Sequence, residues 1–428
     1  MPANTPNVGV RALFDPTDTA SVMIANMSTI GGVFTPATDI NRTYFPADTP
    51  VSFRTSDATA LAAVGTSGTL AQTVNQIIEA GIDATITAVV PNILATDTAT
   101  QQMAKMVGVP ASWTGAWALT TAQQETGVRP GILIAPGFTT QRPGNMPNPV
   151  MTAFDAICDK LGIAVAIGDA PSANMAAALL WAADFSTSMN VVANAQGVAY
   201  SVGGLPVNFD SAAAIAALMI KTDMDYGAPY YNPGNQALTG ILGPSRSVEF
   251  NPADPSCEAN TLLQGGCNCI VNLATNRVQS GGPSGKTFWG FLNTYTDPNW
   301  RMINVIRTRK AIIDALPRAL LKYIGQNLGP ALVTVIVQSI QAFLSELAAL
   351  PVPAVLPGSQ VYYDPTLNDA AGLRVGGLVI DAKWAETPAL LDLQLYTASN
   401  PASFTILSSQ IQAALTQAGV QGTLPAAA

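Results

Sequence analysis

Apolar positions along this chain follow two different periods. Over residues 84–90 (ATITAVV), 131–135 (GILIA) and 164–167 (AVAI) they run almost unbroken, the mark of strands buried on both faces. Over 70–78, Leu70, Val74, Ile77 and Ile78 share one helical face, and Gly81 is placed to end that helix. A further helix is expected over 151–161. Nearer the start, residues 8–14 (VGVRALF) alternate as a short exposed strand, 21–33 (SVMIANMSTIGGV) reads as a strand closed by Gly31-Gly32, and a proline-bounded strand is expected at 45–51. From about 108 to 280 the order becomes strand, helix, strand, helix, which suggests an α/β module. The longest apolar run, 328–350, has the length of a membrane span. Gln338, Gln341, Ser345 and Glu346 interrupt it at helical spacing, so a packed amphipathic helix is expected instead.

Between these runs lies a basic segment. Arg301, Arg307, Arg309, Lys310, Arg318 and Lys322 are six of the 19 basic residues, gathered within 22 positions with Asp314 as the sole acid. On a helix, Arg307, Lys310, Asp314, Arg318 and Lys322 fall on one face, while Ile306, Ile313, Leu316, Leu320 and Ile324 line another. Pro317 is expected to bend or interrupt this helix. The basic face is either solvated or a contact surface for an acidic partner.

Composition narrows the functions available. The 428 residues have room for two or three domains, and 48% hydrophobic content is ample for real cores. Only 11% are charged, against a usual ~25%, so much of the surface is neutral or apolar and suits a subunit covered by copies of itself. A net charge of −8 disfavours direct binding to nucleic acid or anionic lipid. The N-terminus has no basic, then apolar, leader, so assembly in the cytoplasm is expected without membrane insertion.

There is no histidine, which excludes Ser-His-Asp and Cys-His nucleophile pairs. Asp223 and Asp225 (KTDMDYG) form the best acidic pair, before a turn and with no metal-ligand partner nearby in sequence; a solvated loop or subunit contact is expected, and a carboxylate enzyme is the remote alternative. Residues 280–287 (SGGPSGKT) end like a phosphate-binding loop, but Ser280 stands where its first glycine is needed and a helix does not follow. No metal or cofactor site is expected. Cys158 reads as a buried thiol. Cys257, Cys267 and Cys269 crowd a loop-rich stretch, where a cystine formed after release from the cell, within or between subunits, is a candidate.

Residues 288–322 carry, in order, Phe288-Trp289-Gly290, Asn293-Thr294, Asp297-Pro298 and Thr308-Arg309. This succession resembles the sheath proteins of contractile phage tails, also found in phage-tail-like bacteriocins. Earlier segments resemble the same family: Gly127–Pro130 leading to a strand that ends in Pro136-Gly137, a strand ending in Asp169-Ala170-Pro171, and the Asn232-Pro233-Gly234 turn before Gly240-Ile241. The resemblance implies an α+β, multi-domain sheath subunit and no enzyme. Its expected parts are an N-terminal arm (1–20), a first core part (21–95), an inserted outer α/β domain (96–285), a second core part (286–389) and a C-terminal strand, arm and tail (390–428). It implies a homo-oligomeric helical sheath in the virion tail, with tail tube, baseplate and tail terminator proteins as partners.

On the same resemblance the basic helix, with Arg301, Arg307, Lys310, Arg318 and Lys322, would face the tube. Strands lent between subunits would involve Val8, Val10, Ala12 and Phe14 at one end and Leu391, Leu393 and Leu395 at the other. Residues 360–364 and 376–382, with Val361, Tyr363, Leu378 and Ile380, would receive them. The alternative is that both terminal strands pair within their own chain.

Overall fold

The computed structural model describes residues 22–202, 205–273 and 285–420. Two compact units divide the chain, Met1–Ala389 and Leu390–Ala428.

In the first unit the strands are β1 (Thr29–Val33), β2 (Val51–Arg54), β3 (Thr85–Val89), β4 (Ile132–Ile134), β5 (Val165–Asp169), β6 (Val191–Asn194), β7 (Val198–Val202), β8 (Leu205–Phe209), β9 (Gln236–Ala237), β10 (Gly243–Pro244), β11 (Cys267–Leu273), β12 (Gly285–Trp289), β13 (Gln360–Tyr362) and β14 (Asp381–Lys383). Nine of them form one sheet in the order β2-β3-β1-β4-β5-β6-β11-β12-β9. From β3 to β11 every neighbour is parallel, and β2, β12 and β9 close the two edges antiparallel. The sheet therefore runs without a break across position 95, where a first core part and an inserted domain were expected to meet, and its β12 lies at position 285.

Both faces are covered, which is why the apolar runs are continuous. Ile30, Ile86, Ile132, Ile134, Ile167 and Ile270 face one core, packed against the Gly68–Glu79, Ala212–Tyr226 and Ile303–Leu320 helices. Leu133, Ala166, Val191, Cys269 and Val271 face the other, against the Pro149–Leu161 helix and Trp181. A third, smaller core joins the Ile303–Leu320 and Pro330–Ala348 helices to β13 and the segment before β14. On the Pro330–Ala348 helix Ile336, Ile340, Phe343, Leu344 and Leu347 are buried, with Gln338, Ser345 and Glu346 exposed, so it is the amphipathic packing helix its spacing predicts.

Three expectations are corrected. Gly31 and Gly32 do not close a strand but lie inside central β1, because a Cβ at Gly31 would come within 2.5 Å of Pro130 and one at Gly32 within 2.2 Å of the Phe34 ring. Cys267 and Cys269 are not in a loop: β11 is a central strand. Its apolar run is broken in sequence by Asn268, whose buried amide donates to the carbonyls of Ala193 and Leu292, both at 2.8 Å. The Ile303–Leu320 helix is not interrupted at Pro317: the proline acts on the turn before it, where it forgoes the bond to the Ile313 carbonyl, and the helix ends three residues later.

Candidate assembly surface

The segment that follows β12 places the basic helix. Asn293 donates through Nδ2 to the carbonyls of Trp300 (2.9 Å) and Met189 (3.1 Å), and the Thr294 hydroxyl donates to the Phe185 carbonyl at 2.8 Å. Asp297 accepts from the Asn299 N–H at 2.9 Å and starts the Pro298–Trp300 turn. These motif residues are consumed in fixing the chain to the start of β6 and the turn before it, which sets where the helix begins.

On the helix, the expected basic residues do not share one solvated face. Arg307 is 0% exposed and grips Asp223 with two bonds, Nη1 to Oδ1 at 2.7 Å and Nη2 to Oδ2 at 2.5 Å, while the Ser28 hydroxyl donates to the same carboxylate at 2.7 Å. Asp223 is thus no solvated loop residue. It belongs to the buried Ala212–Tyr226 helix, whose first turn is held by Asp169: that carboxylate accepts from the N–H groups of Ser211 and Ala212, both at 3.1 Å, and from the Ser211 hydroxyl. Burial, reinforced by Asp210, pushes the Asp169 carboxyl well above its ordinary range, and burial raises Asp210 as well.

Lys310 also points inward. Its Nζ donates to the Ala164 carbonyl and to Asn190 Oδ1, both at 2.5 Å, and burial lowers its pKa. Arg301 donates to the carbonyls of Leu263 (3.1 Å) and Gln264 (2.7 Å), and burial lowers its pKa too. Asp314 is shared by Arg129, at 2.6 Å, and Arg318. Only Arg318, with a side chain 47% exposed, and Lys322 remain on the outside. Helical spacing says which residues share a direction; it cannot say that the Ala212–Tyr226 helix and β5 lie in that direction.

Arg309, absent from the expected site, is also held in place. The guanidinium lies 4.7 Å from the Trp300 ring centre and 4.6 Å from that of Trp384, sandwiched between them. Its Nη2 donates to Glu386 Oε2 at 3.1 Å, and Trp384 Nε1 donates to Oε1 of the same carboxylate at 2.8 Å. This clamp ties the segment after β14 to the body.

Beyond the clamp, β13 and β14 form an isolated antiparallel ladder, with Gln360 opposite Lys383, Val361 opposite Ala382 and Tyr362 opposite Asp381. The second strand lies at 381–383, not 376–382; Leu378 and Ile380 precede it, half-buried with Val361 against the small core, while Tyr363 is exposed. Among the described residues each strand has one neighbour, so each presents an unpaired edge. In the second unit Leu391, Leu393 and Leu395 belong to no ladder and are exposed. Val8, Val10, Ala12 and Phe14 lie outside the described residues.

Cys257, Cys267 and Cys269 are free thiols, buried with Cys158 in the same core. Burial raises the pKa of Cys267 and Cys269, and pushes Cys158 up to about 12, leaving all three unreactive. Gly285–Thr287 of the SGGPSGKT stretch opens β12 and not a helix, and the residues before it lie outside the described ones.

No protein-family model matches the chain. It is similar to the tail sheath protein of Escherichia phage P2, 24% identical over 381 residues, which span 87% of this chain and 91% of that protein. The major tail sheath protein of Serratia phage KSP20 is 26% identical over 374 residues, 86% of this chain and 89% of the other. A prophage major tail sheath protein of Pseudomonas aeruginosa (strain UCBPP-PA14) is 27% identical over 276 residues, 64% of this chain and 66% of that one. Among solved structures, the PVC sheath of an extracellular contractile injection system in the contracted state superposes with a TM-score of 0.66 at 14% identity, over 94% of this chain and 99% of that one. The helical sheath of the anti-feeding prophage, also contracted, gives 0.62 at 17% identity, over 93% and 100%.

Proposed function

We propose a mode of action from one premise: this chain is a tail sheath protein of the contractile class, a structural subunit that polymerises helically around a tail tube and shortens to drive it through an envelope. The observation that carries the premise is likeness along most of the length, in sequence to the sheath of phage P2 and in fold to sheaths of contractile injection systems. Many identical contacts explain the composition, since a neutral surface suits a subunit enclosed by copies of itself.

In this reading the body moves as a rigid piece and the ladder is the joint. Leu391, Leu393 and Leu395, with Val8, Val10, Ala12 and Phe14, are lent to the open edges of β13 and β14 in neighbouring copies, whose backbone groups they pair. Arg318 and Lys322 are the cations left to meet the tube, through weak screened pairs of ~0–1 kcal/mol each that hold without locking. Baseplate and terminator proteins cap the two ends, and assembly takes place in the host cytoplasm. Contraction draws on better subunit packing in the short state, without nucleotide.

A second reading, a sheath of an injection apparatus or bacteriocin, is favoured by the fold neighbours and differs in cargo rather than in subunit mechanics. Negative-stain microscopy of the purified chain tests both: helical tubes are expected, and deletion of residues 1–20 is expected to leave a folded subunit that forms none. A full-length chain that stays monomeric at every concentration overturns the proposal.

A further inference from the structure

The second unit contains a helix for which strand lending has no use. Ala402–Gln417 places Phe404, Leu407, Ile411 and Leu415 on one stripe at spacings of three and four, and each is between 38% and 68% exposed. After Asp392 the chain has no charged side chain at all, although it carries 46 Asp, Glu, Lys and Arg residues (19 + 27). All its polar positions are Ser, Thr or Gln, and Ile406 is exposed on the opposite side, which is unusual for a surface left to water.

A matching surface exists on the first unit. The Ile303–Leu320 and Pro330–Ala348 helices and the segment leading into β14 enclose an open groove of about 900 Å³. Ile313, Leu320, Ile324, Leu328, Leu332 and Leu378 line it, and Asp381 is its one charged residue. Ile313 is 53% and Ile324 80% exposed, so the rim is apolar and uncovered. A charged helix seated there would lose its hydration without a partner, whereas a neutral one buries apolar surface at little polar cost. Groove and helix are therefore alike in the property that selects for each other.

Reach decides which copy supplies the helix. The groove shares Asp381 and Ala382 with β14. If residues 390–397 of one subunit pair with the ladder of another, the four residues that follow span at most ~14 Å, at ~3.5 Å each, before the helix begins. The helix is then delivered to the recipient, beside the strand it has just received.

We propose that the Ala402–Gln417 helix of one copy seats its Phe404-Leu407-Ile411-Leu415 stripe in the apolar groove beside the ladder of a second copy, locking the lent strand in place. This rests on the sheath reading and on strand lending, and adds to them a second, hydrophobic contact at the same joint.

Crosslinking between two singly substituted full chains separates the possibilities, since the native cysteines are buried. Ile324→Cys and Ile411→Cys chains are mixed, assembled and mildly oxidised. A disulfide-linked dimer is expected in the mixture, at least tenfold above either variant alone. Deletion of 402–428 is expected to leave tubes that form but dissociate at half the urea concentration or less. Tubes that assemble without the mixed dimer overturn this proposal and leave the sheath reading intact. A crosslink confined to single chains carrying both substitutions overturns it too, placing the helix on its own copy. Absence of tubes from the unmodified chain overturns the sheath reading, and this proposal with it.

Discussion

In the nine-stranded body every strand from β3 to β11 has a neighbour on both sides, and Ile30, Ile86, Ile132 and Ile167 are fully buried. In the ladder two three-residue strands have one neighbour each, and beyond them Leu393, Leu395 and Tyr396 are more than three-quarters exposed. The sequences differ accordingly: ILI and TITAV in the body against QVY and DAK in the ladder. The body satisfies its backbone groups and apolar surface internally; the ladder leaves both unsatisfied, and a two-stranded sheet of this size has little stability of its own. Under the proposed mode of action this division is useful, because the joint is then not the part that holds the fold.

The sharpest test of the division is deletion of residues 390–428. Tube formation is expected to be abolished, while the urea midpoint of the soluble subunit stays within experimental error of the full chain. A large fall in that midpoint would mean that the tail supports the body, and the contrast would fail. Next in size is Arg307→Ala, which strands Asp223 as an uncompensated buried charge. A loss of about 3–5 kcal/mol is expected from urea denaturation, while Arg318→Ala, at a half-exposed pair, should change stability by less than ~0.5 kcal/mol.

A smaller effect is expected where the two regions meet. Arg309→Lys keeps the charge but gives up the flat stacking between Trp300 and Trp384, at a cost of about 1–2 kcal/mol. Hydrogen exchange should rise in β13 and β14 and not in β4 or β5. Smallest is a pH effect inside the body. The Asp169 and Asp210 carboxyls are raised in the fold, so the stability they contribute is present below the unfolded value and is lost as pH rises through the folded one. Asp210→Asn removes the repulsion, so its urea midpoint should exceed that of the unmodified chain at pH 7.5. The gap should close towards pH 4.

The body was legible in the sequence where strands are buried on both faces. ATITAVV, GILIA and AVAI became β3, β4 and β5, and Leu70, Val74 and Ile77 became the buried face of the Gly68–Glu79 helix. Strand β11 was not legible, because Asn268 and Asn272 interrupt its pattern and the amide of Asn268 is satisfied only by groups from β6 and from Leu292. The basic helix was expected to run on through Lys322 and Ile324, but it ends at Leu320, and it was oriented wrongly. The partner that turns Arg307 inward lies 84 positions away, beyond the reach of any helical period. Likewise the Arg309 clamp needs Trp384 and Glu386, which only the fold brings near.

The site that joins Ser28, Asp223 and Arg307 also orders events during synthesis. A ribosome releases these residues in that sequence, so most of the polypeptide must emerge before Asp223 meets its guanidinium. Until then the core holds a charge it cannot neutralise, and the body cannot close. The ladder and the tail are translated later still. The interior of the subunit is therefore completed only after strands β1 to β12 and the Ala212–Tyr226 helix have been made.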